Sequence, residues 1–410
     1  MNPAVELVST GAELLSGRTV NAHAQTLARH LADLGLPLLR DTTVPDDRAA
    51  IREALAGALD RVPLVIVSGG LGPTSDDVTR DAVADVVGRS IVMHEPTRDS
   101  IRERYARTNR IWSESVARHA LVLEGADVLP NRAGLAPGEC ITWRDRSIFL
   151  LPGPPPEFEA VLEDHVVPNL RARAGAPPLQ QLFQVTGIGE SDIIRILPEP
   201  EFPGPGVAVA YCARPGRIEI RLTAPAGADE ALARAAALAR ERMGDRIYAE
   251  SRVDLETVVV AALRERERTV AVAESCTGGL VGHLLTNVAG SSTAFLGGVL
   301  AYSNAAKVRD LGVSPDDLAR HGAVSAEVAR EMADGVRVRF GSDYGIGVTG
   351  IAGPDGGTDR KPVGLVFVAV SWSGGGSVRE FRFAGPRAII KQLGAQAALD
   401  QLRMALAAGG

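Results

Sequence analysis

The sequence predicts an α/β protein: two doubly wound α/β domains joined by a small α+β module. Three observations carry this prediction. Short apolar runs such as VPLVIVS (62–68) and VAVAE (270–274) alternate with helix-periodic segments in the first and last parts of the chain. That alternation is the pattern of a parallel sheet covered on both faces. Between the two, the order is strand, helix, strand, strand, helix, which makes a small α+β unit. A length of 410 residues accommodates two or three domains. The expected boundaries are 1–173, 174–250 and 251–410.

The elements follow in order. VELVST is a strand ending at a Gly11 turn, and Val20, Ala24, Leu27, Ala28, Leu31 and Leu34 form one face of a helix stopped by Gly35. Extended LPLLRDTTV precedes a helix from about Asp47 to Leu59. VPLVIVS then delivers Gly69 and Gly70, and the run Thr74 to Asp77 is read as opening a helix. SIFLL, the turn PGPPPEF and a helix through Leu162 and Val166 close the first domain. The module contains FQVTGIGE, helical SDIIRIL, the strands VAVAYCA and RIEIRLTA, and a helix from about Asp229 to Met243. In the third domain the strands VAVAE, FLGGVLAY and YGIGVT are each followed by polar residues.

The net charge is −6, which argues against a nucleic-acid-binding surface. No apolar run reaches membrane-span length, and MNPAVELVST lacks the features of a signal peptide, so a cytoplasmic protein without membrane association is expected. Cys140, Cys212 and Cys276 are widely spaced and fit reduced thiols.

The chemistry gathers at strand ends, because the carboxyl edge of a parallel sheet is where ligands bind. In VAVAESCTGGL, Ser275 follows a strand, and Gly278, Gly279 and an apolar-periodic helix come next. That places its hydroxyl at a helix N-terminus, as a nucleophile or as an ordinary N-cap. Tyr302, Ser303 and Asn304 end the next strand, with Lys307 about one turn beyond; Thr349 and the loop GIAGPDGG end the third. No histidine is well placed as a base, since His283 lies on the helix after Ser275. A partly desolvated lysine is the alternative base. Cys276 is a rival nucleophile, or a buried packing residue. Gly353, Gly356 and Gly357 permit close backbone approach to a phosphate, and Arg387 in FAGPR is a candidate clamp.

In the first domain, Gly69, Gly70 and Gly72 suit a backbone against phosphate, and Thr74, Ser75, Asp76 and Asp77 suit a divalent cation or a capped helix start. Thr10, Gly11 and Glu13 follow another strand, and LPGPPPEF brings Pro152, Gly153 and Glu157.

AESCTGG, AYSNAAKVRDLGV, GAVSAEVAREMA and GVTGIAGPDGG resemble the CinA C-terminal domain, whose family includes nicotinamide mononucleotide deamidases. The resemblance implies hydrolysis of the carboxamide of nicotinamide mononucleotide to the acid and ammonia. It implies Ser275 as nucleophile, Lys307 as base, and Tyr302 and Thr349 in the site, with no cofactor. Cys276 and Thr277 would supply oxyanion-binding N–H groups, and Gly278, Gly279, Asn304, Gly350, Gly353 and Arg387 would line the substrate.

TGAELLSGRTVNAHAQTLARHL, VSGGLGPTSDDVTRDAV, NRAGLAPG and LPGPPPEF resemble the N-terminal CinA domain, of the molybdopterin-binding fold. The resemblance implies cleavage of ADP-ribose to AMP and ribose 5-phosphate, dependent on a divalent metal (Mg2+ or a transition metal such as Co2+, with K+ a further candidate). Asp76, Asp77 and Glu157 would hold the metal, and Gly11, Glu13, Asn21, Gly69, Gly70, Gly72, Thr74, Ser75, Pro152 and Gly153 the nucleotide. Ala12 and the NAH run Asn21 to His23 depart from that pattern. The module resembles the KH-type domain of CinA proteins, with GIGE at GxxG spacing but Glu190 and Asp192 beside it, which disfavours phosphate. Small-molecule nucleotides are the expected partners, in a homodimer. A molybdopterin-handling enzyme and a nucleic-acid-associated competence protein are the alternative readings.

Overall fold

In the computed structural model, which describes residues 3–409, the chain divides into two compact units, one running to Pro178 and one from Leu179. The first unit contains strands β1 (Val5–Thr10), β2 (Leu38–Val44), β3 (Leu64–Ser68), β4 (Ile91–Met93), β5 (Leu121–Leu123), β6 (Asp127–Leu129), β7 (Gly138–Trp143) and β8 (Arg146–Leu151). The main sheet has the order β2-β1-β3-β8-β7-β6; β4 and β5 pair separately. β2, β1, β3 and β8 are parallel, and β7 and β6 extend the sheet antiparallel.

The sheet is covered on both faces, as a doubly wound architecture requires. Leu27, Leu31 and Leu34 of helix His23–Leu34 pack with Phe158 and Val161 on one side. Leu55 and Leu59 of helix Arg48–Arg61 pack with Val83 and Val87 of helix Thr79–Val87 on the other. Two sequence expectations are corrected. Val20 stands outside its helix and is exposed. The 74–77 run is a turn rather than a helix start: Asp77 Oδ2 accepts from the N–H and the hydroxyl of Thr74, and the helix begins at Thr79. That local side-chain bonding offers the backbone an alternative to helix.

The second unit holds two sheets. β9 (Leu179–Thr186), β10 (Ala208–Arg214), β11 (Arg217–Ala224) and β12 (Ile247–Ala249) form an antiparallel sheet of order β10-β11-β9-β12. Helix Asp229–Met243 and the short helix Glu190–Ile196 cover it through Ala235, Ala239, Met243 and Ile193. The other sheet is β14-β13-β15-β16-β17, built from β13 (Val270–Glu274), β14 (Phe295–Leu300), β15 (Tyr344–Gly350), β16 (Leu365–Trp372) and β17 (Gly375–Arg382). β14, β13 and β15 are parallel; β16 and β17 are antiparallel. Helices Leu255–Glu265, Leu280–Thr286 and Arg387–Ala407 bury apolar residues on one face. Helices Asn304–Leu311 and Ala326–Phe340 cover the other. Among the described residues, no helix is long and apolar enough to cross a membrane.

Candidate active site

The second-unit site forms where the parallel strands β14, β13 and β15 end. Ser275 directly follows β13, and its N–H donates to the Val348 carbonyl of β15 at 2.9 Å. Ala301, after β14, donates to the Glu274 carbonyl at 2.9 Å. Ser303 then caps helix Asn304–Leu311, its hydroxyl accepting from the Ala306 N–H. This helix turns Lys307 inward, to 1% exposure. Lys307 Nζ donates to Ser275 Oγ at 3.0 Å and to the Ala301 carbonyl at 2.6 Å.

Burial lowers the Lys307 pKa from its ordinary value. No carboxylate forms a salt bridge with this amine among the described residues. Glu274, the residue before Ser275, is 1% exposed. Its carboxylate accepts from the N–H groups of Gly279, Val281 and Gly282 at 2.9–3.1 Å. It therefore occupies the positive end of helix Leu280–Thr286. The expectation that Ser275 sits at that helix N-terminus is corrected. Gly278 and Gly279, at φ of 62° and 94°, insert a turn that Cβ-bearing residues rarely adopt, and the helix starts only at Leu280.

Cys276 is 6% exposed, and burial pushes its thiol up to about 12. A thiol so held is protonated at neutral pH and is a poor nucleophile. The N–H groups of Cys276 and Thr277 lie against this thiol and offset part of the shift. Thr277 is fully buried and its Oγ1 has no hydrogen-bond partner.

The remaining predicted residues divide. Tyr302 is exposed, and its hydroxyl accepts from Arg387 Nη2 at 2.9 Å. Arg387 Nη1 donates to the Gly353 carbonyl at 2.6 Å, so Tyr302, Arg387 and Gly353 come together. Gly350 packs against Cys276: a β-carbon there would stand 3.0 Å from Cys276 Sγ and 2.7 Å from the Leu365 carbonyl oxygen. Thr349 is 1% exposed and donates its hydroxyl to the Ala323 carbonyl at 2.7 Å, away from Ser275. Asn304 is exposed on the first helical turn, and His283 is exposed and bonded to Asn287. Lys391 was missed: one turn after Arg387, its ammonium lies 3.3 Å from where a Gly278 β-carbon would stand. Its i, i+4 spacing from Arg387 was a readable signal.

The first-unit site lies at the carboxyl ends of β1, β3 and β8. Gly69 donates to the Leu151 carbonyl and Thr79 to the Gly70 carbonyl, which fixes the glycine turn over the strand ends. A cavity of about 230 Å³ is lined by Gly11, Glu13, Asn21, Gly69, Asp76 and Gly153. A second, of about 560 Å³, is lined by Gly70, Gly72, Asp77, Pro152, Gly153 and Glu157. Thr74 serves Asp77, and Ser75 lines neither cavity. Asn21 donates to Ser9 at 2.9 Å, so it braces β1.

His23, one of the departures from the family pattern, is 9% exposed, hydrogen-bonds Ser68 and stacks on Phe158 with ring centroids 4.0 Å apart. Burial lowers its pKa and favours the neutral ring. Arg104, Arg110 and His119 also line the larger cavity and were missed, although the basic run around 98–110 signals such a wall.

The predicted metal ligands do not converge. Among the described residues no three His, Cys, Asp or Glu side chains form a metal-holding group. Glu157 accepts from Asn131 at 2.7 Å, and Asp77 is bonded to Thr74, yet both carboxylates line the larger cavity. That donor set fits a hard cation completed by phosphate oxygens and water rather than an all-protein cage.

Comparison with known proteins agrees with both sites' folds. The CinA C-terminal domain matches residues 252–406, and the probable molybdopterin binding domain matches residues 6–172. The chain is 40% identical to a putative competence-damage inducible protein of Acetivibrio thermocellus over 402 residues, 97% of each chain. It is 42% identical to a protein of the same description from Moorella thermoacetica over 412 residues, 98% of this chain and 99% of the other. Among solved structures, a competence/damage inducible protein from Agrobacterium tumefaciens is 38% identical, with a TM-score of 0.36, covering 37% of this chain and 93% of its own.

Proposed function

This chain belongs to the CinA family, and we propose that it is a hydrolase of pyridine-nucleotide salvage with two activities. The second unit hydrolyses the carboxamide of nicotinamide mononucleotide to nicotinate mononucleotide and ammonia. The observation that carries this reading is the buried pair of Lys307 Nζ and Ser275 Oγ, 3.0 Å apart. A neutral Lys307 takes the hydroxyl proton as Ser275 Oγ attacks the amide carbon. The Cys276 and Thr277 N–H groups, which lie against the Cys276 thiol when no substrate is bound, are assigned to the oxyanion in its presence. As the tetrahedral adduct collapses, the protonated Lys307 returns the proton to the departing nitrogen, which leaves as ammonia. Water then adds to the Ser275 ester with the same lysine as base. Arg387 and Lys391 supply two cations for the substrate phosphate.

The first unit hydrolyses ADP-ribose to AMP and ribose 5-phosphate. A divalent cation at Asp77 and Glu157 would neutralise the pyrophosphate there. The glycine turn 69–72 and Arg104 orient the phosphates, and His23 supplies a neutral aromatic surface beside them.

The test is to incubate the full chain separately with nicotinamide mononucleotide and ADP-ribose, with and without EDTA. Ammonia release is expected to survive the chelator and AMP formation to be lost. Failure to release ammonia would contradict the second-unit assignment, and EDTA-resistant AMP formation would contradict the first.

A further inference from the structure

Three strand ends carry the first-unit site, and one residue is tied to all three. The main-chain N–H of His23 donates to Asn21 Oδ1 at 3.1 Å, and Asn21 in turn donates to Ser9 of β1. The His23 ring meets the last residue of β3, its Nδ1 lying 2.5 Å from the Ser68 hydroxyl oxygen. The same ring hydrogen-bonds the backbone of Gly153, two residues beyond β8. Phe158, on helix Pro155–Val161 just after that turn, stacks on the ring and fixes its plane.

The two turns that this ring joins are the ones that line the cavities. Gly69 and Gly70 follow Ser68 directly, and a β-carbon on Gly153 would stand only 3.4 Å from Gly69 Cα. The turn after β3 leads to Asp77 and the turn after β8 leads to Glu157, the two carboxylates to which the cation is assigned. A shift of either turn moves one carboxylate relative to the other.

Only a neutral ring serves both partners. The Gly153 bond raises the His23 pKa against the larger effect of burial, so it is the ring that donates this bond. A neutral imidazole has a single N–H. With that N–H given to Gly153, Nδ1 accepts from the Ser68 hydroxyl. Protonation puts a hydrogen on Nδ1 as well, and the Ser68 hydroxyl, only 1% exposed, must then turn its own hydrogen elsewhere. Glu13, Asp46, Asp76 and Asp77 line the same cavity as His23, and Asp41 of β2 lies behind Asn21 through Ser9. None of these carboxylates hydrogen-bonds or ion-pairs with the ring among the described residues.

We propose that His23 is a positioning residue of the first-unit site: its neutral ring ties the turn after β3 to the turn after β8, and its protonation releases them. This rests on the ADP-ribose reading above and adds to it an acid limb set by His23.

Two measurements on the full chain test the proposal. Histidine ring resonances of the isotope-labelled protein are followed against pH in EDTA, and His23 is the one of seven that the His23→Asn variant lacks. It is expected to titrate below about 6.5, the ordinary histidine value. AMP formation from ADP-ribose is then measured between about pH 5 and 8. Wild-type kcat/KM should fall towards acid with the midpoint of that resonance. His23→Asn, whose amide donates and accepts without titrating, should be slower than the wild type at about pH 8 but lack the limb. His23→Leu, with no polar group to bridge the turns, should lose up to about 100-fold in kcat/KM across the range. A His23 resonance titrating at or above the ordinary value would overturn the proposal, as would a limb that persists unchanged in His23→Asn or wild-type kcat/KM in His23→Leu. Absence of AMP formation by the wild type at every pH would instead contradict the ADP-ribose reading, and the proposal with it.

Discussion

At the residue scale, the proposed chemistry rests on a lysine that the fold removes from water. Lys307 is lowered in pKa by burial, and only its neutral form can accept the Ser275 proton. kcat/KM for amide hydrolysis is therefore expected to fall as pH drops through this lowered pKa. Its acid limb should lie below the ordinary lysine value of about 10.4. A limb at that ordinary value, measured as the rate of ammonia release against pH, would remove Lys307 as the base. Lys307→Ala should cost about 10²- to 10⁴-fold in kcat. Lys307→Arg should not recover it, because guanidinium keeps its proton across the working range. Ser275 was legible in the sequence as a polar residue at a strand end. The burial of Lys307 was not, because a lysine one turn into a polar helix reads as solvated until the packing of that helix is known.

At the element scale, the strand–turn–helix unit around Ser275 is held by Glu274. Its carboxylate satisfies three helix N–H groups, so Glu274→Ala leaves three buried or half-buried donors unpaired. The expected cost is about 3 kcal/mol of unfolding free energy, read by chemical denaturation, with amide hydrolysis falling because Ser275 is the next residue. Unchanged stability would contradict the capping role.

The helix bearing Lys307 is positioned by a second device. A β-carbon on Gly335 would stand 1.9 Å from the Leu311 carbonyl oxygen, and one on Gly347 would stand 2.2 Å from that of Ala329. Helix Ala326–Phe340 can thus lie directly against both β15 and the end of helix Asn304–Leu311. Gly335→Ala should force these helices apart, lowering the melting temperature and raising the exposure of Lys307. An unaltered melting temperature and pH profile would argue against this. Periodicity revealed the helix after Ser275, and its start, like the one read at Thr74 to Asp77, was misplaced where side-chain bonding intervened: Glu274 with Gly279, and Asp77 with Thr74. Those contacts reach beyond the local apolar pattern.

At the scale of the whole molecule, alternation of buried strands and helices made both α/β sheets legible. The antiparallel edges β6–β7 and β16–β17 were not, since strand direction depends on pairing rather than on composition. The strand-end rule pointed to both candidate sites, because it depends only on parallel order. It did not find the tie made by the His23 ring, which joins turns far apart in sequence.

The claim that Ser275 is the nucleophile is tested most directly by ammonia release from nicotinamide mononucleotide in two folded variants of adjacent residues. Ser275→Ala should abolish release while AMP formation from ADP-ribose in the same preparation persists. Cys276→Ala should retain most of the release, since its thiol is buried and protonated and the variant keeps its backbone N–H. An active Ser275→Ala beside an inactive Cys276→Ala would contradict the account and move the nucleophile by one residue.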